Sequence, residues 1–395
     1  MPLMDGDNLP TDAAGAVFGL TSPAPRDETV VVDGGTVSLR AGRSTLAVAG
    51  AGGRDHRESV DAAVDVAERA LDLLCYRRGV ALAVPDPYDE HIAWLPSAAG
   101  VHMVLTTLAP LSAAVSATAE VHDAHGRRKP SAPRPATQWD ASLRYFRASQ
   151  LAATLNDSYR SLWLAVESLL DVVLPYTTGG ESTWVKDAFA AAGVAGIDVL
   201  RGVPRRAVTP NAAKAAYRYF YDSRRNLLFH SKRSRGSLSR RSEAQHRDLE
   251  EALAALAVLY ADLGQQITGE HRQTSGMTYV GFDNIGDGIE AAGATMFLLD
   301  EEPQPDDIAF TLGARAAASG MAQAPAPERE PGFVTYTASD LRPTAPFQIV
   351  AVTAGHRQAV AARFLGRVDA SDVSRVDVRL RHRLSNAGTR DRFAH

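Results

Sequence analysis

The chain has 395 residues, room for two or three domains and at least one sizeable core. Hydrophobic residues make up 45%, charged residues 22% and the net charge is −4, so the whole molecule is not a polycation built to coat nucleic acid. It has no long apolar run for a membrane span and no Lys or Arg in its first twenty residues, and Cys75 is the only cysteine. A transmembrane helix, a secretory signal peptide, a disulfide framework and a cysteine-based zinc site are therefore not expected, and a cytoplasmic protein is.

Residues 1–27 hold Gly, Pro and Asp with little periodicity and read as a flexible lead. Short β-like runs follow at Thr29–Val32, Thr36–Leu39 and Ser44–Val48, separated by glycine turns. From about Arg57 to Tyr76 the period changes. Val60, Val64, Ala67, Leu71 and Leu74 alternate four- and three-residue steps, one face of an amphipathic helix. On that stripe Cys75 reads as a buried, inert thiol. Further β-like runs at Val80–Val84, His91–Leu95 and Val101–Leu105 complete a small α+β domain over 28–125.

Two X-Pro steps at Ala132-Pro133 and Arg134-Pro135 mark a boundary. Beyond it, Leu151, Leu155, Tyr159, Leu162, Val166, Leu169 and Val173 keep helical spacing until Pro175 and Gly179-Gly180. Helices are also expected over Trp184–Ala191, from Asn211 to about His230, and along Leu249, Leu253, Leu256, Tyr260 and Leu263. The expected fold class is α+β overall, with a central all-α antiparallel helical bundle over 140–268 and a second small α+β domain over 275–395. In that last domain strands are expected at Met277–Phe282, Thr295–Leu299, Phe333–Thr337, Phe347–Thr353 and near Val373–Leu380, with a short helix around Gln358–Phe364.

Several features carry little chemistry. Gly50-Ala51-Gly52-Gly53 lies between a strand and a helix, where backbone amides can cradle phosphate, but it lacks the full dinucleotide pattern and suits a plain loop better. His122, Asp123 and His125 are metal-ligating types whose tight spacing fits a solvated turn. The C-terminal arginines from Arg375 to Arg392 read as a charged tail. No cofactor is indicated.

Residues 223–241 are different. They hold Arg224, Arg225, Lys232, Arg233, Arg235, Arg240 and Arg241 and no acidic residue, a concentrated positive surface suited to phosphate. On a regular helix Asn226, His230 and Arg233 share one face, with Arg225 about 100° round. Histidine can move a proton and arginine can neutralise charge growing on a phosphorane, so this set suits metal-free RNA cleavage. The competing explanation is a histidine that ends a helix beside solvated arginines.

Arg225-Asn226-Leu227-Leu228-Phe229-His230 resembles the R-x4-6-H signature of HEPN domains. Ser161-Leu162-Trp163-Leu164-Ala165-Val166-Glu167-Ser168-Leu169-Leu170 resembles the aromatic-x-x-x-Glu-x-Leu-Leu helix of bacterial members of that family. The resemblance covers about residues 140–268. It implies a homodimeric helical bundle that cleaves RNA without metal, leaving a 2′,3′-cyclic end. Carried onto this chain, it makes His230 the general acid/base, Arg225 the phosphate clamp, and Asn226 the residue that positions His230 or the phosphate. Arg224 is an alternate arginine, Glu167 a supporting residue, and Lys232, Arg233 and Arg235 contact RNA. A toxin or antiviral-defence effector is the setting implied, with flanking domains or a partner protein restraining the nuclease. Some HEPN bundles instead bind nucleotides, RNA or proteins without cutting.

Overall fold

In a computed structural model the described residues are 2–4, 7–8, 12–85, 87–112, 122, 125–128, 139–152, 154–177, 179–229, 242–269, 294–304, 307–323, 333–354 and 360–385. The chain divides into two compact units. One comprises Met1–Leu111, Ser239–Ala244 and Thr278–Leu384, and the other Ser112–Leu238, Gln245–Met277 and Ser385–His395.

The first unit is built on two sheets. Its strands are β1 (Pro2–Met4), β2 (Asp7–Asn8), β3 (Gly15–Gly19), β4 (Glu28–Val32), β5 (Gly35–Leu39), β6 (Thr45–Ala49), β7 (His91–Ser97), β8 (Gly100–Ser112), β9 (Ala294–Leu299), β10 (Ala318–Ala322), β11 (Phe333–Leu341), β12 (Phe347–Ala354), β13 (Val360–Val368) and β14 (Val373–Ser385). One sheet has eight strands in the order β11-β14-β8-β7-β3-β6-β5-β4; the other has six, ordered β10-β9-β12-β13-β1-β2. Both therefore combine strands from the two ends of the sequence.

These sheets contradict the expectation of a central all-α bundle flanked by two separate α+β domains. The segments on either side of the helices do not close on themselves, because β14 lies against β8 and β13 against β1. Strand pairing at such sequence separation leaves no trace in local periodicity, so each run was legible while its partner was not.

Helix α1 (His56–Arg78) packs on the eight-stranded sheet. Asp55 caps it by accepting the Glu58 amide at 2.9 Å, and Gly79 closes it with a bond to the Cys75 carbonyl. The stripe Val60, Val64, Ala67, Leu71 and Leu74 is buried against Phe18, Val37, Leu39, Leu46 and Val48 from the sheet. Each such leucine or valine contributes about 1.5–3 kcal/mol by leaving water. Cys75 is exposed, one helical step off that stripe. Residues 12–27, unpatterned in sequence, hold β3, which lies between β6 and β7. The run Val80–Val84 forms no strand, and the segment expected as a helix around Gln358–Phe364 is strand β13 where it is described. The expected strand at Met277–Phe282 lies outside the described residues.

The second unit holds helices α2 (Ser142–Leu151), α3 (Leu155–Val173), α4 (Glu181–Val194), α5 (Ala212–Ala216) and α6 (Asn226–Phe229), with most of α7 (Glu243–Thr268). The first unit's α8 (Ala309–Arg315) packs Leu312 against Phe297 and Ile349. The helical run expected from Leu143 breaks at Ala152, which is extended, and restarts at Thr154, whose hydroxyl accepts the Asp157 amide at 3.1 Å. Tyr159, Leu162, Trp163, Val166, Leu169 and Leu170 of α3 are fully buried and form the centre of this unit's core with Phe189, Phe220, Leu256 and Leu263.

Candidate functional site

Between α5 and α6 the chain is a π-helix over Tyr217–Arg225. Its wider turn ends where the Asn226 amide bonds the Tyr221 carbonyl five residues back. Such helices cost backbone geometry and concentrate at functional sites. Here tertiary bonds hold the widened turn: the buried Tyr159 hydroxyl donates to the Phe220 carbonyl at 2.9 Å, and Arg224 Nη1 donates to the Tyr219 carbonyl at 2.7 Å.

The two arginines at its end take different surroundings. Arg224 lies 3.8 Å over the Tyr219 ring, and its Nη2 donates to both carboxylate oxygens of Asp248 of α7, at 2.8 and 2.9 Å. Arg206 joins this group at 3.9 Å from Asp248 and also pairs with Glu251. Arg225 instead pairs with Glu181 at the start of α4. Its guanidinium is 4.9 Å from the centroid of Tyr221 and 4.8 Å from that of Phe229. Tyr221 stacks on Tyr217 at 5.1 Å, Lys186 sits 4.4 Å over Tyr217, and Arg160 sits 5.5 Å over Phe229. Lys186, Tyr217, Tyr221, Arg225, Phe229 and Arg160 thus follow one another in contact, and Arg225 is held between two rings.

The α3 segment meets the same place. Trp163 Nε1 donates to Glu167 at 2.6 Å, and the Trp163 ring meets Tyr221 edge-on at 5.6 Å. Burial pushes the Glu167 carboxyl above the usual carboxylate range; the Trp163 donor and Arg225 pull it down and Glu181 pushes it further up. Burial also raises the Tyr221 hydroxyl, to about 12. Asn226 accepts a long contact from Arg225 Nη1 at 3.4 Å and faces Asp222 at 3.5 Å.

Of the residues singled out in the sequence, Arg225, Asn226 and Glu167 therefore lie in one cluster, and Arg224 is turned away to α7. His230, Lys232, Arg233 and Arg235 lie outside the described residues. Sequence reasoning missed Glu181, Tyr217 and Tyr221. Glu181 sits 44 residues before its arginine, and a regular helical wheel places the two tyrosines as core.

The glycine-rich loop before α1 has its own anion. Glu58 accepts from the Arg54 amide at 3.0 Å and pairs with the Arg54 side chain, which holds its carboxyl down to about 2. A resident carboxylate at that helix start favours the plain-loop reading.

A second polar cluster, in the first unit, was not anticipated. His102 on β8 contacts Asp377 of β14 through Nε2 at 2.9 Å and Arg375 through Nδ1 at 3.1 Å. Arginine only donates, so Nδ1 accepts and Nε2 carries the proton toward Asp377. His56 lies edge-on to His102 at 4.2 Å and bonds its carbonyl through Nε2. Asp377 also accepts the amide of Asp340, whose φ of 60° is the strained left-handed value beside the β11 bulge. Burial lowers the His56 pKa. The unfolded imidazole then takes up a proton near 6.5 while the folded one stays neutral, so stability is present above that pH and falls as pH drops through and below it. A thermal melt series from pH 7.5 to 5 is expected to fall less in His56→Gln than in wild type; parallel falls would remove His56 as a cause.

Compared with protein-family models, with curated proteins and with solved structures, the chain matches none.

Proposed function

We propose that this chain is a metal-independent endoribonuclease of the HEPN type, a toxin or antiviral-defence effector in kind, with its site at Arg225, Asn226 and His230. The observation that carries the reading is the meeting of the two segments that hold the resemblance. Trp163 of the first meets Tyr221, one turn before the second, and Glu167 of the first lies in electrostatic reach of Arg225 and of its α4 partner Glu181. An arginine fixed by rings and a carboxylate has little freedom left to lose when it engages phosphate. In the proposed reaction the RNA 2′-hydroxyl gives its proton to His230 and attacks the adjacent phosphorus. The bond to the 5′-oxygen breaks, that oxygen takes a proton, and a 2′,3′-cyclic phosphate is left. Arg225 balances the charge on the phosphorane. The proposed partners are RNA, a second copy of the chain and a restraining protein.

Arg225→Ala and His230→Ala are each expected to lower the cleavage rate at least about 100-fold, measured on labelled RNA with melting curves run beside it. Cleavage equal to wild type by either variant rejects the site.

One observation favours a second reading. Arg225 already has a carboxylate partner and two aromatic neighbours, the surroundings of a structural arginine. A non-catalytic module would then bind RNA through the surrounding basic residues, with an affinity that falls steeply with salt and no products.

A further inference from the structure

The Arg225 side chain is only 10% exposed, whereas that of its partner Glu181 is 38% exposed. The buried cation is thus closed off on one edge by a carboxylate that itself reaches water. A guanidinium set over aromatic rings directs its N–H groups into its own plane, and there a carboxylate and a phosphate meet the same fork. The geometry points to Glu181 as a resident stand-in for phosphate: its carboxylate occupies the oxyanion position of Arg225, and an RNA phosphate has to displace it to engage the guanidinium. This rests on the reading of Arg225 as the phosphate clamp, and it adds how that clamp is restrained at rest.

Three features suit Glu181 to leave. It is the first residue of α4, directly after Gly179 and Gly180, and Gly179 has φ +118°, a conformation that side-chain-bearing residues rarely adopt. Gly180 is the N-cap and supplies no side-chain bond to the first amides of α4. A carboxylate swung off Arg225 therefore remains beside the positive end of its own helix, where it is favoured. Arg225, by contrast, is fixed from both directions along its helix by Tyr221 and Phe229. The guanidinium is the fixed member of the pair; the carboxylate, which the Tyr221 hydroxyl also bonds, is the more exposed member and the one that leaves. The second carboxyl of the cluster, Glu167, is held by the Trp163 indole and does not compete for the same swing.

Arg224 and Asp248 form a useful contrast. Arg224 Nη2 donates to both oxygens of Asp248 and Nη1 donates to the Tyr219 carbonyl, so both terminal nitrogens are engaged, one of them by a backbone group that cannot swing away. A displaceable ligand is therefore assigned to Arg225 alone of the two.

The test uses the full chain in EDTA and a non-cleavable 2′-O-methyl oligoribonucleotide, read by fluorescence anisotropy at fixed salt. Glu181→Gln is expected to bind about tenfold more tightly than wild type, the scale of one close competing charge. The gain is expected to vanish in Glu181→Gln/Arg225→Ala. Asp187→Asn changes the same charge at an exposed position of α4 and is expected to change affinity much less. Should Glu181→Gln not fold, Glu181→Asp, which withdraws the charge by one methylene, is expected to bind more tightly than wild type too. No gain on altering Glu181, no binding by any variant, or an equal gain in Asp187→Asn or the double variant, overturns the proposal. The nuclease reading fails separately, if Arg225→Ala cleaves RNA as wild type does, and a proven nuclease with no gain in Glu181→Gln leaves the clamp standing without its latch.

Discussion

Asp89→Asn is expected to destabilise the protein by about 3–5 kcal/mol, the cost of breaking a buried ion pair from one side. Asp89 lies just before β7 and Arg381 on β14; their side chains pair with both fully buried. Neutralising the carboxylate leaves the buried guanidinium facing an amide where a charge had been, and the share of its desolvation cost that Asp89 offset returns. The pair also joins an early segment to the last strand, so its loss loosens the sheet that both ends of the chain build. Replacing both partners, as Asp89→Asn with Arg381→Met, removes the buried charge and is expected to recover part of the loss. Urea unfolding of wild type and the two variants measures this. A cost below about 1 kcal/mol for the single change, the range of exposed pairs, would mean that water reaches the site.

Gly15→Ala is expected to be comparably damaging, above about 3 kcal/mol, at the severe end of overpacking. Gly15 starts β3 and is flanked in register by Ala49 of β6 and Trp94 of β7. A methyl group there falls 2.2 Å from Trp94 Cζ2 and 2.3 Å from the Val48 carbonyl oxygen. Neither can yield. The Trp94 indole is fully buried and donates to the Ala13 carbonyl at 2.8 Å, and the Val48 carbonyl belongs to a paired strand. Loss of soluble protein, or a sharply lowered urea midpoint, is the expected result. A melting temperature within about 2 °C of wild type would show that β3 shifts to make room.

These two sites mark where the sequence was legible and where it was not. The α1 stripe from Val60 to Leu74 was readable because burial on one helix face has a period of its own. Strands β4 to β6 were readable because glycine turns bracket alternating runs. Strand β3 was not: Gly15-Ala16-Val17-Phe18-Gly19 is buried almost throughout, so alternation is absent, and two glycines read as turn residues. The region 360–368 carries apolar residues at spacings that suit helix or strand, and pairing with β12 decides for strand. At the candidate site, the arginine, the asparagine and Glu167 were found from residue type and the family-like pattern. The π-helix was invisible, because an extra residue in a turn is a tertiary accommodation held by Tyr159 and Arg224. Glu181 was invisible as well, because an exposed acid at a helix start is ordinary until its arginine is seen.

The central claim is that this chain cuts RNA without metal through Arg225 and His230. The most direct measurement is incubation of purified protein with total and transfer RNA in EDTA, wild type beside His230→Ala, with the chemistry of the new ends determined. The account predicts fragments ending in 2′,3′-cyclic phosphate from wild type and none from the variant. Fragments of equal yield from both, or ends carrying a 3′-hydroxyl, would contradict it.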